Sequence, residues 1–385
     1  MVVRLPLLEE LTVWNTSACN LRCEYCFVYR LYEDIPRQEM QIETMDNLIH
    51  FAMHHLRANG RIWFFGGEPL VSFETMKYIT EKARAENLAI QFGVTTNCTL
   101  IDEEKAKWMA KHGYGVLCSL DGLQELHDKH RKYADGRGSW SDAWNGIKLV
   151  RKYINSNPQL RWTMSIDTVE GTVESMKQLI KDGLTNLAID CVYEVEWDED
   201  ALETLRKELT EMRDLLDTCY SNGIQVFSMF ARDAANALMN KSRMRWTDRC
   251  GLGIGSVGVT PKGEVTPCHR FVSSVATLNR QELIIGDVYR GFNPNRLTWI
   301  EGWSKIPPYS EKPELCLECN FRNACSGGCI ACNYDLFGDA HVVPESFCRI
   351  KQLTVEVFKP LVEKHSGNPT FMQLYGIRAP RMCIE

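Results

Sequence analysis

Cys19, Cys23 and Cys26 set three thiols within eight residues, in C-x3-C-x2-C spacing, just after the apolar run Leu11, Val13, Trp14. Three thiolates on one short loop can hold three corners of an iron–sulfur cube. The fourth iron is then left without a protein ligand, whereas clusters built only for electron transfer are usually closed by four cysteines. An open iron beside a strand end is a place where a small molecule binds and reacts. A zinc ion or a structural cysteine cluster is the alternative for the same thiols.

The rest of the chain gives that loop a setting. Its 385 residues allow two or three domains around a large core, and 44% hydrophobic with 24% charged residues is ordinary for a globular protein. A net charge of -6 argues against a nucleic-acid surface. The N-terminal apolar run is broken by Arg4 and Pro6 and does not read as a signal peptide. Sixteen cysteines are then expected as thiols or ligands rather than disulfides. No apolar run approaches the ~18 residues of a membrane span. The expectation is a cytoplasmic protein in a reducing, oxygen-poor setting, with neither a membrane nor a nucleic-acid partner.

Six short apolar runs, 11–14, 61–65, 90–95, 115–120, 162–166 and 187–192, alternate with amphipathic stretches at 44–59, 73–86, 102–111, 140–154 and 173–182. A further helix is expected over 199–216. The alternation predicts an α/β fold, a partial (β/α)6 TIM-like barrel, with chemistry at the carboxyl ends of its strands. Residues 1–234 are assigned to this core and 235–249 to a connector. A cysteine-rich domain is assigned to 250–350, and a helix and tail to 351–385.

The triad, with Tyr25 just before its last cysteine, resembles the loop of the radical S-adenosylmethionine (SAM) superfamily. The resemblance implies that the open iron chelates SAM and that one electron cleaves it to a 5′-deoxyadenosyl radical. Gly66-Gly67-Glu68-Pro69 follows the second run and resembles the family's G-G-E-P segment, which contacts the SAM amino group. Two glycines there let backbone approach a ligand closely. Thr96, Asn97, Ser119 and Asp121 end the next two strands and resemble positions lining the SAM pocket. Arg131 is a candidate partner for the SAM carboxylate, since a guanidinium fork suits a carboxylate. Ser165 is a candidate of the same kind, and Tyr25 and Phe27 are candidates to pack on adenine or shield the cluster. The acidic run 194–200 is expected to be a solvated loop and helix start. Cys98, Cys118, Cys191 and Cys219 read as buried hydrophobes.

A second cysteine set occupies the C-terminal third: Cys250, Cys268, Cys316, Cys319, Cys325, Cys329 and Cys348. It resembles the SPASM domain, which holds two auxiliary 4Fe–4S clusters, so the resemblance implies three clusters in all. Carried over, Cys316, Cys319, Cys325 and Cys348 close the outer cluster, and Cys250, Cys268 and Cys329 hold the inner one. The inner cluster's fourth ligand is Cys332 or an open iron. Residues 258–267 read as a hairpin around Pro-Lys-Gly. Zinc is the alternative for this region, and Cys383 has no role in the scheme.

Triad, G-G-E-P segment and SPASM-like domain on one chain resemble enzymes that modify peptides and proteins by hydrogen abstraction. Only 18 residues precede Cys19, so the expectation is a chain with no leader-binding domain ahead of the triad. His269 follows Cys268 where sulfatase-maturing relatives carry an aspartate base. Histidine can also serve as a base near neutral pH, and a donor to a cluster sulfide is its other reading. The expected function is maturation of a ribosomally made peptide through a thioether or carbon–carbon crosslink, with a flavodoxin or ferredoxin as reductant. Formylglycine formation on a sulfatase is the alternative enzyme reading. A cluster-bearing electron carrier or redox sensor is the alternative of another class.

Overall fold

Leu11, Val13 and Trp14 are all fully buried because their strand lies inside a sheet and is covered on both faces. A computed structural model describes residues 7–28, 37–239, 251–305, 316 and 318–376 of the 385. In chain order the first elements are β1 (Leu8–Thr16), α1 (Ile42–His55), β2 (Leu56–Gly66), α2 (Phe73–Ala85), β3 (Gln91–Thr96) and α3 (Glu103–Lys111). They are followed by β4 (Gly115–Ser119), α4 (Gln124–His130), α5 (Trp140–Tyr153), β5 (Gln159–Met164), α6 (Thr172–Lys181) and β6 (Asn186–Cys191). Helix α7 (Glu199–Ser221), β7 (Phe227–Ser228) and α8 (Met229–Met239) complete this half.

Strands β1 to β7 are neighbours in sequence order and all pair in parallel. All six expected strands are among them. A parallel sheet needs a crossover between neighbours, and the amphipathic helices supply it. Side chains alternate between two faces along each strand. On β1 and β2, Leu11, Val13, Ile62 and Phe64 enter the large core under the helices. Trp14 turns the other way and packs with Val28, Val272, Phe27 and Phe65 in a separate cluster. Cys98, Cys118, Cys191 and Cys219 are buried in the large core.

The second half adds to the same sheet. Strand β8 (Ser256–Val259) joins the other edge of β1 in parallel, with Glu10 opposite Ser256 and Val13 opposite Val259. Strand β9 (Glu264–Thr266) returns antiparallel to β8, so the expected hairpin is present. Helix α9 (His269–Thr277) follows, then β10 (Gly286–Asp287) and β11 (Gly291–Phe292), which extend the sheet to eleven strands. Helices α10 (Pro294–Lys305), α11 (Ile330–Phe337), α12 (Glu345–His365) and α13 (Pro369–Leu374) complete the described chain.

Three expectations shift. Helix α1 stops at His55 rather than Asn59, because Leu56 already pairs with Leu8 in the sheet. Helix α8 runs through residues 235–239 of the expected connector, and 240–249 lie outside the described residues. The C-terminal helix begins at Glu345, so Cys348 sits in its first turn. That helix is tied to the sheet by charge. Lys351 Nζ donates to Asp233 of α8 at 2.8 Å and lies 3.5 Å from Asp190 of β6, and Lys351 and Asp233 are buried. Among the described residues no helix is long and apolar enough to cross a membrane.

Candidate active site at the carboxyl end of the sheet

The triad loop leaves β1 at Thr16 and is held from both sides. On one side lies the Gly66–Pro69 segment. Gly66 has φ of 129°, and a Cβ on it would meet the Thr16 carbonyl oxygen at 2.3 Å. A Cβ on Gly67 would meet the Ala18 carbonyl oxygen at 2.2 Å. The Gly67 and Glu68 amides donate to those two carbonyls, at 3.1 and 2.8 Å. Both glycines thus bring this backbone against the cysteine loop. Asn15, which the sequence reading missed, donates to the Pro69 and Ser72 carbonyls at 3.0 and 3.1 Å.

Glu68 turns back into the sheet. Its Oε1 accepts from the Leu70 amide and the Thr96 hydroxyl, and its Oε2 accepts from the Asn97 amide at 2.7 Å. Burial pushes its carboxyl up to about 7, against the pull of these three donors. Glu68, Thr96 and Asn97 therefore form one brace across the ends of β2 and β3. Asn97 extends it, since its Nδ2 donates to Asn20 Oδ1 at 2.9 Å, inside the triad loop. Asn20 in turn donates to the Thr99 hydroxyl.

The far side of the loop is fixed by ionic groups. Tyr25 donates its hydroxyl to Asp121 Oδ2, and Arg131 Nε donates to the same oxygen at 2.8 Å. Asp121 Oδ1 accepts from the Thr163 amide of β5 at 2.9 Å. The Arg131 guanidinium carbon lies 5.5 Å from the centre of the Tyr25 ring. Three residues expected separately around SAM are thus bonded to one another. Arg131 spends its Nε on a protein carboxylate, which the sequence reading had not foreseen. Behind them, His127 accepts from the Asp121 amide and meets the Ser139 hydroxyl at 3.0 Å. Ser119 closes β4 and is buried. The Ser165 amide donates to the Thr168 hydroxyl in the turn after β5.

Within this frame the three thiols lie in electrostatic reach of one another. Burial, with Glu68 next, pushes Cys19 well above the usual thiol range. Burial pushes Cys23 up to about 12, and the Arg131 charge opposes that rise. Among the described residues no three His, Cys, Asp or Glu side chains converge on a single ion. Ligands of one zinc converge on a point, whereas a cubic cluster gives each thiolate its own iron. Three soft donors on one braced loop, Cys23 buried and Cys19 and Cys26 half-buried, fit such a cluster.

The second cysteine set falls into two groups. Cys319 is in electrostatic reach of Cys325 and Cys316, and Cys319, Cys325 and Phe347 border the same small apolar cluster. Cys348 follows Phe347 in the first turn of α12. Cys329 and Cys332 are likewise in reach of each other. Cys268 is the N-cap of α9 and Cys329 the N-cap of α11, and the two helices pack together. Helix N-termini favour thiolate and other anions. Cys250 and Cys383 lie outside the described residues.

An aromatic group joins this region to the triad. Phe27 stacks on Phe65 at 6.2 Å between ring centroids, and the His269 ring lies 4.8 Å from that of Phe65. Burial, then Arg270, holds the His269 ring down at about 4, so it is neutral at physiological pH. Glu194 corrects another expectation. It is not solvated but accepts from Arg270, whose charge overrides the burial that opposes its ionisation. Trp197 in the same acidic run is buried, and Asp198 caps α7.

Comparison with known proteins adds the relationship. Residues 16–179 match the family model of the Radical SAM superfamily. The chain is 25% identical over 351 residues to a cysteine-type anaerobic sulfatase-maturating enzyme of Clostridium perfringens (strain 13 / Type A), spanning 85% of this chain and 90% of that protein. It is 23% identical over 370 residues to the radical SAM cyclopropyl synthase TigE of Paramaledivibacter caminithermalis, spanning 91% and 73%. A cysteine-type anaerobic sulfatase-maturating enzyme of Clostridium novyi is 31% identical over 145 residues, and that match spans only 36% of this chain and 39% of the relative. The fold is shared with anSMEcpe bound to AdoMet and the Cp18Cys peptide, at a TM-score of 0.74 and 21% identity over 93% of this chain and 99% of that one. It is shared more loosely with Streptococcus suis SuiB bound to precursor peptide SuiA, at a TM-score of 0.56 and 18% identity over 89% and 76%. Residues 16–179 are a Radical SAM domain, and the chain is an enzyme related to anaerobic sulfatase-maturating enzymes and to a radical SAM cyclopropyl synthase.

Proposed function

We propose that Cys19, Cys23 and Cys26 hold a 4Fe–4S cluster that binds SAM, at the mouth of a partial (β/α)6 barrel. Residues 250–350 form a SPASM domain with two further 4Fe–4S clusters. The chain matures a ribosomally made peptide by forming a thioether or carbon–carbon crosslink, in the cytoplasm, with electrons from a flavodoxin or ferredoxin. The observation that carries this reading is the thiol triad on one loop, braced by Gly67 and Asn97 on one side and by Tyr25 on the other. Bound there, cluster and SAM supply a 5′-deoxyadenosyl radical able to take hydrogen from an unactivated carbon.

The protein's own part is position and protection. The Glu68 brace and the Tyr25–Asp121–Arg131 group hold the loop. Trp14, Phe27 and Phe65 cover its inner side and keep water away. His269, neutral and beside Phe65, accepts the proton of a substrate thiol or hydroxyl. The peptides bound to anSMEcpe and to SuiB, which share this fold, support a peptide or protein substrate.

Formylglycine formation on a sulfatase is the second reading, favoured by the match to 90% of the Clostridium perfringens enzyme. Mass spectrometry after anaerobic incubation with SAM, reductant and candidate peptides separates the two. Loss of two hydrogens without a hydrazide-reactive aldehyde supports crosslinking, and an aldehyde supports formylglycine. Unchanged peptides from both classes would contradict both readings.

A further inference from the structure

Arg270 stands in the first turn of α9, two residues after Cys268, and joins three parts of the chain. It donates to Glu194, which lies just beyond the carboxyl end of β6. Its guanidinium carbon lies 4.5 Å from the centre of the Phe27 ring, and Phe27 directly follows Cys26. It is also in electrostatic reach of Cys329 and Cys332, and Cys332 is in reach of Glu194. The Arg270 Nε–H is buried and has no hydrogen-bond partner among the described residues.

A buried N–H without an acceptor is destabilising, so a purely structural clamp would be better built without it. The arrangement makes sense beside an anion. A cluster held by thiolates becomes more negative when it gains an electron. Net charge and hydrogen bonds near the sulfurs set its potential. A fixed cation with an unspent N–H favours the reduced state, and the paired carboxylate limits that effect and locks the side chain in place.

We propose that Arg270, clamped by Glu194, sets the reduction potential of the cluster held by Cys329 and Cys332, and so governs how readily it takes up one electron. This rests on the reading of those cysteines as cluster ligands. Arg270 acts through the cluster and is a tuning residue. The Glu194 carboxylate opposes it, so the two side chains push the potential in opposite directions.

The test is a redox titration of the reconstituted full chain, followed by electron paramagnetic resonance. It is carried out in a C19A/C23A/C26A background that leaves only the C-terminal iron. The relevant signal is the one lost in C329A. Arg270→Gln should lower the reduced-to-oxidised ratio at fixed potential at least tenfold, about 59 mV for a one-electron couple. Glu194→Gln should move it the opposite way, and Arg270→Lys should stay nearer the parent than Arg270→Gln. If Arg270→Gln does not fold or loses its iron, Glu194→Gln and Arg270→Lys carry the test. Iron present with every variant titrating like the parent overturns the proposal and leaves the cluster assignment standing. No iron in the background protein overturns the assignment, and the proposal with it.

Discussion

Gly67 and Ala18 touch backbone to backbone. A Cβ atom at Gly67 would sit 2.2 Å from the Ala18 carbonyl oxygen, and the next amide, of Glu68, already donates to that oxygen at 2.8 Å. The segment after β2 is therefore the wall against which the cysteine loop is formed.

Gly67→Ala should push that wall away from the loop. Overpacking of this kind costs about 1–3 kcal/mol, and here the clashing atom is backbone, which yields less than a side chain. The expected outcome is a lower melting temperature together with reduced iron content and reduced SAM cleavage. Unchanged iron would show that the loop does not depend on this contact.

Asp121→Asn should be costly because it leaves Arg131 buried without its counter-charge. Both side chains are almost fully enclosed, at 9% and 3% exposure. Breaking such a pair costs about 3–5 kcal/mol. Denaturant titration should show the loss as a lower midpoint, and Tyr25→Phe, which removes only a hydroxyl bonded to the same oxygen, should lose less.

Much of this was legible in the chain. The strand and helix periodicities survive in β1 to β6. What stayed hidden is pairing over distance. Nothing near Glu68 announces that it will accept from Asn97, or near Arg131 that Asp121 will claim its Nε. Both contacts depend on how neighbouring strand ends are brought together. The two glycines stand out in the sequence for close backbone approach, and one partner they approach is the protein's own loop. The union of β8 with β1 joins segments some 245 residues apart and has no local signal. Asn20, between Cys19 and Leu21, offered only its polarity.

His127 predicts a pH dependence. Burial, with Arg131 adding to it, holds its ring down at about 3, and both ring nitrogens meet polar partners. The unfolded chain binds a proton near the ordinary histidine value of about 6.5. Between these values the unfolded state binds more protons, so this contribution is complete above pH 6.5 and is lost as pH falls towards 3. At pH 5 the loss is about 2 kcal/mol. Stability measured against pH should show this slope in the parent, and the slope should be shallower in His127→Gln.

Lys351→Met should detach α12 from the sheet. The substitution leaves Asp233, buried at 2% exposure, without the ammonium that sits 2.8 Å away. A loss of about 3–5 kcal/mol is expected, read as a lower denaturant midpoint. Lys351→Met/Asp233→Leu should recover part of it, because the buried carboxylate that has lost its ammonium partner and keeps Arg232 at 3.2 Å is then gone.

The central claim is that Cys19, Cys23 and Cys26 form the site at which SAM is opened. Anaerobically reconstituted enzyme, given SAM and dithionite, should produce 5′-deoxyadenosine, and Cys23→Ala should abolish that product while retaining iron bound by the C-terminal cysteines. Parent protein with a full iron complement that yields no 5′-deoxyadenosine, or a Cys23→Ala variant that yields it undiminished, would contradict the account.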